Sequence, residues 1–225
     1  MRSLTVALAA VLAVAALAFA AIETEEVSLE SIKGEPWDLD FTFRMPQRIV
    51  VKGDEGQAEA YWFMLYTVTN NTGEARVFVP QATLFTNNGK VAYDVIRPDV
   101  QEAVKQQYRL AELKNSVQMM GDANEKAEEG QELKIKPSLK AGAEEAQDGI
   151  FIFREVDMQM DGFKVFVTGL SGRFVVRTVP ATAEGEQPEE VVLRKTMELD
   201  FSVPGDSVRI SEDKVYLLKQ KWIWR

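Results

Sequence analysis

The chain contains no cysteine and no histidine among its 225 residues. Their absence removes Ser-His-Asp and Cys-His catalysis, ordinary zinc sites, c-type haem attachment and thiol redox chemistry. No disulfide can form, and no thiol is present to carry a lipid. Cations are also in short supply: 26 Lys and Arg face 35 Asp and Glu, a net charge of −9. Phosphate recognition rests on clustered cations, so neither nucleic acid nor an anionic lipid surface is the expected partner. The chain has no G-x-x-x-x-G-K or G-x-G-x-x-G stretch, hence no recognisable cradle for nucleotide phosphates. After residue 20 no apolar run approaches the length of a membrane span.

What is present begins with "MRSLTVALAAVLAVAALAFAAIETEE". Arg2 forms a positive n-region, Leu4 to Leu17 is an apolar run, and Ala18-Phe19-Ala20 matches an Ala-x-Ala cleavage pattern. This order reads as a secretory signal peptide over residues 1–20, with an uncleaved anchor as the rival. Residues 21–225 are then expected to form a single β-sandwich domain, periplasmic or extracellular. Hydrophobic residues make up 46% of the chain, enough to bury a core unaided. Asn70-Asn71-Thr72 matches a glycosylation pattern but reads more simply as turn chemistry.

The body of the chain has β rhythm. In "WDLDFTFRMPQRIVVKG", Trp37, Leu39, Phe41 and Phe43 recur at every second position, and Pro46 implies an edge or a bulge. The next strand, 60–69, breaks the alternation: Trp62, Met64 and Tyr66 interleave with Tyr61, Phe63 and Leu65, so both faces are apolar. Asn70-Asn71-Thr72-Gly73 then suggests a hairpin to 75–86, and "TNNGK" a second turn into 91–93, together a three-stranded meander. At Pro98 the character changes. "PDVQEAVKQQYRLAELKNSVQ" spaces Val100, Val104, Tyr108 and Ala111 as one face of an amphipathic helix of about four turns, a helical insertion at about 97–118. Strands return at 149–156, 163–170, 172–179 and 191–203. The last segment places Tyr216, Leu218, Trp222 and Trp224 at even positions among Lys219, Lys221 and Arg225. The expected fold class is mainly β, an antiparallel immunoglobulin-like β-sandwich with an inserted amphipathic helix. A helix lying on the outer face of one sheet would give strand 60–69 apolar neighbours on both sides; the rival is a face awaiting a ligand.

Candidate chemistry is thin. Glu155 with Asp157, or Glu198 with Asp200, could pair as glycosidase-type carboxylates, yet 35 acids make such pairs by chance. Met158 and Met160 have a spacing that suits Cu(I), and Asp157 with Asp161 offers oxygens to Ca²⁺; a turn fringed by core residues explains both. Met119-Met120 reads as gap-filling, and Ser171 in "GLSG" has no histidine base. No catalytic, cofactor-binding or metal residue is assigned, and no cofactor is expected. The C-terminal Trp-Ile-Trp-Arg ribbon either closes the core or offers an edge to a partner.

The stretch "YWFMLYTVTNNTGEARVFVPQATLFTNNGK" resembles bacterial extracellular immunoglobulin-like modules of the FxLYD-type and telokin-like kind. It is also similar to secreted bacterial proteins with a "YTVTNNTG" stretch and a Trp-ending C-terminus. About thirty residues carry the likeness strongly and residues 131–170 loosely, while the inserted helix and acidic loop depart from it. The resemblance implies a non-catalytic exported sandwich and supplies no functional residues. The resulting expectation is a structural or protein-binding module whose partner is an envelope or extracellular protein. The alternative is a carbohydrate-binding or carboxylate-dependent polysaccharide-active module.

Overall fold

The computed structural model describes residues 31–53, 56–121, 138–154, 156, 160–179, 187–204 and 214–225. The expected signal peptide at 1–20 and the acidic segment after residue 121 lie outside them. The chain divides into Met1–Ile32 and Lys33–Arg225. The described strands and helices belong to the second unit, except that the opening strand begins one residue earlier, at Ile32.

The architecture is mainly β: two antiparallel sheets packed as a sandwich. The smaller sheet contains β2 (Asp40–Phe43), β3 (Gln47–Lys52), β4 (Ala58–Asn70) and β7 (Gly142–Arg154). β2 and β3 run along one edge of β4 as a single interrupted strand, while β7 occupies the other edge. The interruption holds Pro46, which has no N–H to give to a ladder and so sits at the edge, as its sequence position implied. The larger sheet contains β1 (Ile32–Asp38), β9 (Ser171–Val179), β10 (Glu189–Ser202), β8 (Gly162–Thr168), β5 (Gln81–Thr86) and β6 (Val91–Tyr93), in that order. β11 (Tyr216–Trp224) pairs with the second edge of β10.

β4 resolves the puzzle of its own sequence. Trp62, Met64, Tyr66 and Val68 point into the sandwich, against Phe163, Val165 and Val167 of β8 and Leu199 and Phe201 of β10. Tyr61, Phe63 and Leu65 point the other way, into a second core with Ile150 and Ile152 of β7 and Val100 and Val104 of the helix α1 (Pro98–Tyr108). Side chains alternate across a strand, so a β4 with only one covered face would expose every second large residue. The helix supplies the third layer that prevents this. Pro98 takes the first turn, Asp99 complements the dipole, and Arg97 binds Asp99 through two nitrogens at 2.9 and 2.7 Å.

Three expectations are corrected. β4 does not form a hairpin with the segment after it, and there is no three-stranded meander. Both edges of β4 are already paired, with β2 and β3 on one side and β7 on the other, so the chain crosses to the larger sheet and β5 pairs with β8 and β6. Asn70 makes that crossing possible. Its buried amide donates to the carbonyls of Glu74 and Leu139 at 2.8 and 3.0 Å, and its oxygen accepts from the Thr72 backbone and hydroxyl at 3.0 and 2.7 Å. Of the two expected hairpins, the Thr86–Lys90 turn between β5 and β6 is the one that forms.

The helix is shorter than expected. Arg109 adopts φ of 53°, in the left-handed region that ends helices, so α1 stops after three turns and Ala111 lies outside it. A four-residue helix, α2 (Ser116–Met119), follows, with Asn115 and Gln118 forming a capping box. Finally, the even positions of β11 do not share a face. A bulge shifts the register between the Asp200–Lys219 and Phe201–Leu217 pairs. Leu217 and Trp222 pack on the core, whereas Leu218 is 66% exposed.

Candidate functional site

The four-stranded sheet is covered on both faces. The larger sheet shares one face with the core, and the ladder registers place side chains on its other, outer face in cross-strand rows. One row runs Tyr93, Thr83, Phe166, Glu198, Lys221 across β6, β5, β8, β10 and β11. The neighbouring row runs Val91, Phe85, Lys164, Asp200, Lys219. Glu198 is only 2% exposed although it lies on this outer face. Its two oxygens meet Lys164 at 3.1 Å and Lys221 at 3.4 Å.

Arg225 lies opposite Arg194, joined by two backbone hydrogen bonds, yet its guanidinium sits 4.1 Å from the centre of the Phe166 ring. In a flat sheet the two Cα atoms would be about 17 Å apart, too far for these side chains to meet. The sheet therefore curls toward this face. With the Arg194–Arg225 pair, these rows carry five cations, Lys164, Arg194, Lys219, Lys221 and Arg225, against two carboxylates, Glu198 and Asp200. On the β5–β6 side of this face stand two exposed rings, Tyr93 at 68% and Phe85 at 39%.

The Glu198–Asp200 pair named from sequence thus shares a face, but Glu198 is buried and ion-paired with Lys164 and Lys221, and Asp200 stands between Lys164 and Lys219 in the ladder. Glu155, Asp157 and Met158 lie outside the described residues. Met160 is a core side chain, and the Asp161 carbonyl accepts from Val203 N at 2.8 Å, as expected of a turn beside the core. Met119 fills the sandwich core. The Ser171 hydroxyl donates to the Trp37 carbonyl at 3.2 Å and accepts from Arg173 N at 3.2 Å. Among the described residues no group of three or more acids could hold a metal ion, and no helix is long and apolar enough to cross a membrane.

A residue that sequence reasoning missed is Asp94, between β6 and α1. Its carboxylate accepts the Ile152 N–H at 2.8 Å and the Ser116 hydroxyl, joining the helical layer to β7. Burial pushes its pKa up to about 6, partly offset by those two hydrogen bonds. Nearby, the Tyr66 ring lies across Gly149, where a Cβ would stand 2.2 Å from Cζ. Burial, reinforced by the Asp94 charge, drives the Tyr66 hydroxyl far above its ordinary pKa. The signal was faint: one carboxylate directly after "VAY", at the close of a short strand.

A second polar network anchors the start of α1. Arg97 donates to the Tyr61 hydroxyl and to Glu59, and Tyr61 donates to Glu59. The Tyr61 hydrogen bond is the main influence holding the Glu59 carboxyl below its usual range. An open pocket of about 140 Å³ lies where the helical layer ends, lined by residues that include Arg44, Leu65, Thr67, Leu110, Leu113 and Asp148. Thr67 donates to Asp148 at 2.6 Å and the Arg44 guanidinium lies over the Tyr108 ring at 5.3 Å.

Compared with known proteins, the chain matches no protein-family model, no curated protein and no solved structure.

Proposed function

We propose that this protein is a non-catalytic module of the immunoglobulin-like class, exported to the periplasm or cell exterior, that binds an envelope or extracellular protein. The observation that carries the reading is how the large rings are used. Those of β4, the richest aromatic stretch in the sequence, are filling between two sheets and a helix, each no more than 3% exposed. The buried polar side chains of Asn70 and Asp94 serve the same end, tying segments and layers together through hydrogen bonds rather than lining an open cleft. Binding then falls to the concave outer face of the larger sheet, where Tyr93, Phe85 and Val91 are exposed.

The second reading, a carbohydrate-binding module, is favoured by one observation, the 68% exposure of Tyr93 on a concave face. Affinity capture from envelope extract, run beside a polysaccharide array, separates the two. The protein-binding reading expects one stoichiometric protein partner and no saturable glycan. Saturable glycan binding without a protein partner overturns it, as does turnover of any glycan on the array.

A further inference from the structure

We infer that the concave outer face of the larger sheet recognises a carboxylate-rich segment of a protein partner, with Arg225 as its central contact. This rests on the protein-binding reading and adds the chemistry of the partner.

The charge on this face is opposite to that of the chain. The two carboxylates of its rows are outnumbered by five cations, Arg194 included, on a protein whose net charge is −9. The distribution within the face sharpens the point. Lys164 and Lys221 are engaged with Glu198, whose buried charge they neutralise. Lys219 stands opposite Asp200 at the β11 side. The Arg225 guanidinium is different: it rests on the face of Phe166, and the residue as a whole remains exposed. A planar guanidinium fixed in this way is suited to a two-pronged carboxylate contact with little further loss of side-chain freedom.

The same geometry weighs against a sugar. With Arg225 stacked on it, Phe166 cannot serve as a platform for a pyranose ring, so Tyr93 would have to act with Phe85 alone at one margin. Tyr93 and Arg225 are instead the residue types that dominate protein interfaces when set beside apolar neighbours. Val91 and Phe85, both exposed, provide those neighbours.

The test measures binding of a fluorescein-labelled decapeptide, rich in Glu with two Phe residues, to the full chain by anisotropy at low and high salt. A Lys-for-Glu version of the peptide and polygalacturonate serve as comparison probes. The proposal expects saturable binding of the Glu peptide that weakens as salt is raised. Arg225→Glu should weaken it about tenfold or more, and Tyr93→Ala severalfold. Lys52→Glu, an equal charge change on β3 of the other sheet, should leave it within about twofold. Thermal melts establish that each variant is folded, and Arg225→Lys tests geometry, since it keeps the charge but loses the planar fork. No binding of the Glu peptide, equal binding of the Lys peptide, or equal effects of Arg225→Glu and Lys52→Glu each overturns the proposal. So does tighter binding of polygalacturonate through the same residues. If envelope capture yields a partner whose binding ignores Arg225 and Tyr93, only the face is wrong. If capture yields none, the protein-binding reading fails with it.

Discussion

Replacing Asp94 by Asn should make the protein more stable at neutral pH and remove part of its pH dependence. The folded-state pKa of about 6 lies above the 3.8 of an unstructured aspartate. The folded protein therefore holds this proton more tightly than the unfolded chain does. Stability from the protonated form is fully present below about pH 4 and is lost as pH rises toward and through 6. Two pKa units correspond to about 3 kcal/mol, an upper figure for the cost of the ionised side chain at pH 7.5. Asparagine can keep both contacts, accepting from Ile152 N through Oδ1 and donating from Nδ2 to the Ser116 oxygen. The assay is urea unfolding of both proteins from pH 4 to 8, read as the difference in unfolding free energy. Taking the difference cancels the titration of the other carboxylates. Near pH 4 the two should be within about 0.5 kcal/mol, and by pH 7.5 the variant should lead by about 1–3 kcal/mol. A difference that stays constant across this range refutes the reasoning, and so does a wild type that gains on the variant as pH rises.

The other stability predictions address the layers and the crossing. Gly149→Ala places a Cβ 2.2 Å from the Tyr66 ring, so calorimetry should show a destabilisation of about 2–4 kcal/mol; an unchanged melting temperature would mean that Tyr66 does not lie there. Asn70→Ala leaves the Glu74 and Leu139 carbonyls and the Thr72 N–H without their side-chain partner. Urea unfolding should register a loss of about 2–4 kcal/mol, against less than about 0.5 for Asn71→Ala on the exposed side of the turn.

How much could be read in advance depended on whether the information was local. Pro98, Val100 and Val104 declared the helix because a 3.6-residue period and a first-turn proline act within one element. The doubled apolar pattern of 61–66 declared a strand covered on both faces, since no other placement would bury both sets of rings. The partner of that strand was not legible. Asn70-Asn71-Thr72-Gly73 is compatible with a hairpin, and only the occupancy of both β4 edges by distant segments sends the chain across to the other sheet. The end of α1 was hidden because Arg109 is not a residue type that marks a left-handed stop, and the β11 bulge because nothing around Leu218 differs from an ordinary alternating strand. The concave face could not be read either. Lys164, Phe166, Glu198, Lys221 and Arg225 come from three strands and meet only through registers and sheet curvature that tertiary packing sets.

The account depends on β4 being enclosed from both directions, and hydroxyl-radical footprinting of the native protein tests this directly. It predicts that Tyr61, Trp62, Phe63 and Met64 are all labelled far more slowly than Tyr93 and Tyr216, with Met64 the most stringent case because thioethers oxidise readily. Labelling of Tyr61 and Phe63, or of Trp62 and Met64, at the rate of Tyr93 would show that one of the two covering layers is absent.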